Sequence, residues 1–561
     1  MSNSSTPVSL DAVIIGAGFS GMYQLLSLRD KLGLSARVLE AAGGVGGTWY
    51  WNRYPGARCD SESHSYSYYF SKELLQEWNW TERYPQQPEI MRYLNHVADR
   101  FDLRRDIQLD TRVKSAHFEA KHNCWHVTTE AGEIFHCTYL ITAVGCLSSA
   151  NVPKIAGLND FGGDWYHTGQ WPHEGVDFSG KRVGVVGTGS TGIQAIPVIA
   201  AQSKHLTVFQ RTANYSIPAR NAPLTDEFKQ YTKSHTDDIR HTMNSNTNAH
   251  PFYITDRSVF DVDDEERKQI METAWKKGGL EFRAAFRDTL IDEKANKIVA
   301  DFIREKISEI VKNPATAQLL GDIDHPFAAK RPPVDSQYFE TYNLDHVDLV
   351  NIREAPIEKI TATGIKTKDH DYPLDIIVFA TGFDAMTGSL LKIDIQGRNG
   401  LALKEAWYAG PRNYLGLQVP GFPNMFTVTG PGSPSVLCNM PPAIEHHVDW
   451  ITHCIKDMRE KGIHTIEAQE KAADDWVLEV NHAANSTLLP SATHSWYLGA
   501  NVPGKPRVFM PYAGGFAKYQ KIVSDATSNG YVGFTLSGLT QQHAAIHIHD
   551  TASHERRGRR S

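Results

Sequence analysis

Short apolar runs that break straight into glycine recur along this chain and define its expected elements. Ala12–Ile15 runs into the turn Gly16–Gly21 (G-A-G-F-S-G), and a helix-patterned stretch, Met22–Leu32, follows. Val183–Val186 runs into Gly187–Gly192 (G-T-G-S-T-G) in the same way. Both units read as strand, glycine turn and helix with G-x-G-x-x-G spacing. In that order backbone N–H groups and a helix N-terminus can hold a dinucleotide pyrophosphate. A second strand follows each, Ala36–Leu39 and Leu206–Gln210. From about 221 to 330 the pattern changes to helical spacing, as in Glu265–Lys277 and Ala295–Val311, and predicts a helical insertion. Further on, Gly430–Pro442 reads as a Gly/Pro-rich loop, Ala443–Lys461 as a helix, and His494–Arg507 as a mobile loop.

The residue that ends each second strand separates the two sites. Nineteen positions past Gly21 stands Glu40, and nineteen past Gly192 stands Arg211. A carboxylate there accepts from a ribose diol and repels a 2′-phosphate, whereas a guanidinium binds one. The first site is therefore expected to take FAD or NAD and the second NADP(H), which together imply a flavoprotein reduced by NADPH. Thr212 and, from a distant segment, Lys330 are candidates for further phosphate contacts. Two more apolar runs, Tyr139–Ala143 and Ile376–Phe379, open into Val144–Gly145 and Ala380–Asp384 (A-T-G-F-D). These resemble the segments by which two-dinucleotide flavoproteins cross between their domains.

Composition narrows the class without naming a reaction. The chain has 561 residues, 41% hydrophobic and 22% charged, which fits a globular protein of several domains. A net charge of −7 gives no reason to expect nucleic acid or an acidic membrane as partner. No apolar run approaches the roughly 18 residues needed to span a bilayer. Met1–Ser9 is polar and uncharged, unlike a secretory signal, so a cytoplasmic location is expected. The six cysteines form no C-x-x-C pair, which argues against a zinc site and a redox dithiol, and no metal is expected. The tail from about Gln541, with His543, His547, His549 and His554, reads as disordered.

Between the two turns lies Phe161–Pro172 (F-G-G-D-W-Y-H-T-G-Q-W-P), too aromatic for a flexible linker and expected to be a packed hinge joining the two domains. On the residues alone an ordinary buried connection fits equally well. Its pattern F-x-G-x-x-x-H-x-x-x-W-P, carried by Phe161, Gly163, His167, Trp171 and Pro172, resembles the signature of type I Baeyer–Villiger monooxygenases. A second signature of that family, G-G-x-W-x-x-x-x-Y-P-G-x-x-x-D, is met by Gly46, Gly47, Trp49, Tyr54, Pro55, Gly56 and Asp60. The resemblance runs from roughly Asp11 to Gly533. In Trp49–Asp60, Gly430–Met440 and Ala500–Met510 the wording is similar to the phenylacetone-oxidising members.

This resemblance implies an α/β fold of two Rossmann-like domains with a helical insertion, and the conversion of ketones to esters or lactones with NADPH and O2 through a flavin C4a-peroxide. Sulfide oxidation is implied as a side activity. Arg331 matches the active-site arginine and Asp60 the carboxylate that orients it. Gly16, Gly18, Ser20, Gly21, Glu40, Thr48, Trp49, Tyr50, Trp51, Asp60, Tyr66, Val113 and Met440 match FAD contacts. Arg58, Cys59, Gly187, Gly189, Ser190, Thr191, Gly192, Ile193, Gln194, Ala195, Arg211, Thr212, Lys330, Arg331 and Trp496 match NADP contacts. Cys146, Leu147, Val436 and Leu437 are candidates for the substrate pocket. Cys146, Pro441–Pro442 and an extra residue near Ser491–Ser495 depart from the nearest pattern, so the ketone itself is not implied. The expected division is 1–145 for FAD, 146–220 for hinge and NADP, 221–330 for the insertion, 331–380 for NADP again, 381–540 for FAD again with substrate loop and lid, and 541–561 for the tail. A monomer or weak oligomer acting on a small ketone and O2 is expected. Two other readings stay open: an N- or S-oxygenating flavin monooxygenase, and a non-catalytic NADPH-binding flavoprotein.

Overall fold

Val8–Ile15 (β1), Phe19–Leu26 (α1) and Ala36–Leu39 (β2) make the first nucleotide unit of the computed structural model, which describes residues 6–538. The expected tail, 541–561, lies outside the described residues. β1 pairs in parallel with both β2 and Ile134–Thr142 at the centre of an eight-stranded sheet. Its last four residues, Ala12 to Ile15, are buried, as a strand covered on both faces requires. The expected helix Met22–Leu32 is divided into α1 and a π turn, Ser27–Lys31.

The second unit, Arg182–Val186 (β3), Ser190–Ala200 (α2) and His205–Gln210 (β4), lies in a separate five-stranded sheet. The order there is Val347–Asn351, β4, β3, Ile376–Phe379 and Asp164–His167, with every pair parallel. Two doubly wound nucleotide-binding regions therefore share the chain. The chain then returns to the first sheet, where Met425–Thr427 pairs with Ile134–Thr142 and Asp394–Gln396 with Val113–Glu119.

The insertion is helical, and its helices begin where side chains cap free N–H groups. Asp263, Asp292 and Asn313 each accept from a backbone N–H of the first turn of Asp264–Lys277, Glu293–Ile310 and Pro314–Gly321. Asp264, Glu265 and Glu266 stand at the start of the first of these helices and Lys276 and Lys277 at its end, matching the helix dipole. Trp275, Phe282, Phe302 and Phe327 join Val183, Val185 and Ile193 in one core, so the insertion is built onto the second sheet.

Two expectations change. The helix Ala443–Lys461 begins earlier, at Met440, because Pro441 and Pro442 occupy its first turn, where a missing N–H loses no bond. Phe161–Pro172 is not the joining segment. Its Asp164–His167 is the edge strand of the second sheet, paired with Ile376–Phe379. The crossing itself is made by 145–151 and 381–386 side by side. Asn151 donates to Gly382 O (2.9 Å), Asp384 to Ser149 O (2.8 Å) and Met386 to Cys146 O (2.9 Å). The aromatic motif braces this crossing, since a Cβ on Gly169 would stand 2.6 Å from the Phe383 ring. No helix among the described residues is long and apolar enough to cross a membrane.

Candidate active site

Gly16 and Gly187 open the two turns with the same geometry. Their φ angles are +104° and +111°, and an added Cβ would lie 2.6 Å from Ala143 O in one and 2.5 Å from Ala380 O in the other. Only glycine fits, because the crossing strand passes directly over each turn. Both sets of N–H groups are thereby left open at a helix N-terminus, as a pyrophosphate needs.

The ends of the second strands differ as expected. Glu40 is 6% exposed, and its carboxylate accepts from the N–H groups of Ala17 (2.6 Å) and Ala42 (2.8 Å). Burial raises its pKa, which those two bonds offset in part. Arg211 is exposed, with its strand neighbour's Arg353 donating to Arg211 O at 3.3 Å. Arg353 is held by Asp324 (3.0 Å) and Asp322 (3.8 Å). Lys330 feels burial first, then Asp324, Arg211 and Arg353, and its pKa is lowered. Sequence reading missed Arg353; its place follows only from the pairing of Val347–Asn351 with β4.

A cavity of about 790 Å³ runs from Glu40 past Gly16 and Gly18 to Arg331 and Trp496. Of the expected FAD residues, Ser20, Thr48, Trp49, Trp51, Asp60, Tyr66, Val113 and Met440 line it. Gly21 lies under the turn, its Cβ position 1.8 Å from Gly16 O, and serves helix packing. Tyr50 packs on His173, with ring centres 4.9 Å apart. Of the expected NADP residues, Arg58, Cys59, Ser190, Thr191, Gln194, Arg331 and Trp496 reach the wall. Gly187, Gly189, Gly192, Arg211, Thr212 and Lys330 stand around the second turn and strand end rather than on the wall. The side chains of Ile193 and Ala195 are fully buried in the second core.

Gln194 joins the two regions. Its Oε1 accepts from Tyr54 Oη (2.8 Å) and Arg58 N (3.4 Å), and its Nε2 donates to Arg58 O (3.1 Å). The Y-P-G part of the second signature is thus stitched to α2. Gly56 leaves room for this, since its Cβ would fall 2.3 Å from Gln194 O.

Arg331 and Asp60 meet at the inner end. Arg331 Nε donates to Asp60 Oδ2 at 2.6 Å and Nη2 to Oδ1 at 2.8 Å, while Nη1 donates to Val436 O at 3.0 Å. Burial opposes the charge of Arg331, yet the Asp60 carboxylate outweighs it and holds the pKa above the ordinary arginine value. Of five N–H groups three are engaged, leaving two for a ligand. Cys146, Leu147 and Val436 line the cavity, and Leu437 packs behind them with Tyr497, Phe509 and Met510. Burial pushes the Cys146 thiol up to about 11, so it stays protonated near neutral pH. His494–Arg507 contains no strand; one short turn, Trp496–Leu498, buries Tyr497 among these groups.

A family model described as pyridine nucleotide-disulphide oxidoreductase matches residues 13–275. Over 524 residues the chain is 44% identical to a Baeyer-Villiger monooxygenase of Pseudooceanicola batsensis, covering 93% of this chain and 95% of that protein. The chain belongs to the Baeyer–Villiger monooxygenases. A solved structure of an oxidized steroid monooxygenase bound to NADP matches with a TM-score of 0.91 and 51% identity, over 95% of this chain and all of that one. A phenazine N-monooxygenase of Lysobacter antibioticus is 42% identical over 94% of this chain and 97% of its own length. The fold and the two cofactor pockets, one for FAD and one for NADP(H), are those of the family.

Outside the cavity, Glu119, Cys124 and His126 bring donor atoms within 4.8 Å of one another on paired strands of the first sheet. The cysteine spacing carried no sign of this cluster, because its donor atoms gather across two strands.

Proposed function

We propose that this enzyme inserts one oxygen atom of O2 beside a ketone carbonyl, forming an ester or lactone, with NADPH as electron donor. The observation that carries the reading is the Arg331–Asp60 pair at the inner end of a cavity walled by residues of both nucleotide regions. The residues fit FAD: an N–H-lined turn open at α1, a buried carboxylate at the ribose position, and a continuous cavity from there to Arg331. FAD and NADPH, when bound, supply the oxygen activation and the hydride. Asp60 holds the guanidinium in one plane, and its two remaining N–H groups stabilise negative charge that develops on the substrate oxygen. Apolar groups around Cys146, Leu147 and Val436 keep water from this point.

Arg331→Ala is the test. Flavin bleaching by NADPH should persist, while ester formation from a ketone panel, read by mass, should fall by roughly 10²–10³ or more. Retained ketone oxygenation would remove Arg331 from the chemistry. N- or S-oxygenation is a second reading, favoured by the likeness to the phenazine N-monooxygenase. An aromatic N-heterocycle and a sulfide in the same panel separate it, because only the first reading yields esters. The site assignments above, including Phe161, Gly163, His167 and Trp171 as a brace for the crossing, belong to this proposal.

A further inference from the structure

A hairpin of the first sheet carries metal-ligating side chains that the oxygenation chemistry leaves unused. Val113–Glu119 and Cys124–Thr129 pair antiparallel, with Glu119 directly opposite Cys124 and His117 opposite His126. Side chains alternate between the faces of a strand, so Ala116, Phe118, Trp125 and Val127 enter the core. Glu119, Cys124 and His126 are left together on the other face, half-buried.

Their geometry is that of a ligand set. One donor atom from each of the three lies within 4.8 Å of the other two. His126 Nε2 is closed off from solvent and makes no hydrogen bond, although Glu119 Oε2 lies 3.0 Å away. With the ring proton on Nδ1, that nitrogen offers a free lone pair towards the carboxylate. His136, opposite His126 on the next strand, stacks on its ring with centres 4.1 Å apart and fixes its plane. Burial, and then His126, hold the pKa of His136 below its ordinary value, so it adds no charge against an incoming cation near neutral pH. The His122 imidazole, with Nδ1 3.0 Å from Glu119 Oε2, keeps the carboxyl below its ordinary value and hence ionised. His117 is drawn away from the set, its Nε2 lying 2.7 Å from Asp394 Oδ2.

A carboxylate, an imidazole and a thiol at this spacing suit a borderline divalent ion in tetrahedral coordination. We propose that Glu119, Cys124 and His126 bind Zn2+ or an ion of its class, with the fourth position open to water or to His122, and that the ion clips this hairpin. Burial holds the Cys124 thiol above its ordinary value, so binding displaces its proton to solvent and leaves the thiolate on the metal. The missing C-x-x-C pair does not bear on the site, which uses one cysteine. The inference is independent of which substrate is oxygenated.

The experiment uses the full-length, FAD-loaded enzyme with Co2+ as a spectroscopic probe and Zn2+ in calorimetry. Wild type should bind about one Co2+ per chain with a thiolate-to-cobalt charge-transfer band and tetrahedral visible bands beyond the flavin absorption. Cys124→Ser should lose the charge-transfer band. Glu119→Gln and His126→Ala should each weaken Zn2+ by at least about tenfold, since even an outer partner of a ligand costs that much. Zn2+ should raise the thermal midpoint of wild type and leave that of Cys124→Ser unmoved. It should also suppress alkylation of Cys124 in wild type, read by peptide mass. The tail histidines, His543, His547, His549 and His554, bring no thiolate. Zn2+ binding that is equal in wild type and all three variants would therefore assign the ion to the tail and overturn the proposal. A wild type without the thiolate band, or with Cys124 alkylated as fast in saturating Zn2+, overturns it even if no variant folds.

Discussion

The two nucleotide turns are nearly the same object built twice. Gly18 and Gly189 cap their helices at φ/ψ of −82/−166° and −81/−171°. Each turn lies under a crossing strand, and each leaves its N–H groups free. What differs is one side chain at the end of the neighbouring strand and what surrounds it. Glu40 is enclosed, with both oxygens held by backbone N–H groups. Arg211 is exposed, and its charge and that of Arg353 act together on Lys330. On the proposed reading, the backbone provides binding to any pyrophosphate and the strand-end side chain selects the nucleotide. An enclosed site suits a cofactor that never leaves, and an open cationic one suits a donor that must enter and be exchanged.

The strongest way to break this comparison is to fill each turn. Gly21→Ala places a Cβ 1.8 Å from Gly16 O, and Gly192→Ala places one 2.2 Å from Gly187 O. The first should be purified nearly colourless, with FAD occupancy below about a tenth, from overpacking of the turn. The second should stay yellow but be reduced by NADPH at least about tenfold more slowly. Equal loss of colour in both would show that the pockets are not independent.

Arg211→Ala sharpens the same contrast. It removes a charge-assisted contact worth about 1.5–3 kcal/mol, so the preference for NADPH over NADH should fall by roughly ten- to a hundredfold. An unaltered ratio of the two kcat/KM values would assign the 2′-phosphate elsewhere.

Acid should act on both regions in one window. His167 and His325 in the second region are drawn down to about 4 by burial, as is His446 in the first, and His447 to about 3. Each folded value lies below the ordinary 6.5, so the unfolded chain binds more protons in between. Stability is then complete above about pH 6.5 and is lost as pH falls towards 4. Thermal midpoints recorded across that range should drop steadily; a flat profile would mean that folding leaves the pKa values of these histidines unchanged. The smallest effect belongs to Arg353→Ala. It should raise the KM for NADPH about threefold, since an exposed ion pair contributes little, and leave FAD in place.

In the first nucleotide unit the strand begins four residues and the helix three residues earlier than expected, and the helix gives way to a π turn at Ser27. The order of that unit and the end of its strand were legible, because strand, turn and helix are contiguous and the glycines are demanded by local backbone contacts. Glu40 and Arg211 were legible for the same reason. The role of Phe161–Pro172 was misjudged because a strand gains its identity from its partner, here Ile376–Phe379, far along the chain. Arg353 and the bond from Gln194 to Tyr54 were invisible on the same ground: nothing local records which distant segment a side chain will face. Within the matched motifs, the side chain of Tyr50 packs on His173 and those of Ile193 and Ala195 join the second core, because a motif sets backbone course more than side-chain environment.

The chain alone determined that there are two glycine turns of the pyrophosphate-binding kind and which sign of charge attends each. Those features depend on residue type and short spacing. Only the tertiary structure decided that Arg331 and Asp60 form a two-point ion pair across 271 positions. Charge pairing over such separations is set by how sheets and inserted helices pack, and packing is a property of the whole chain.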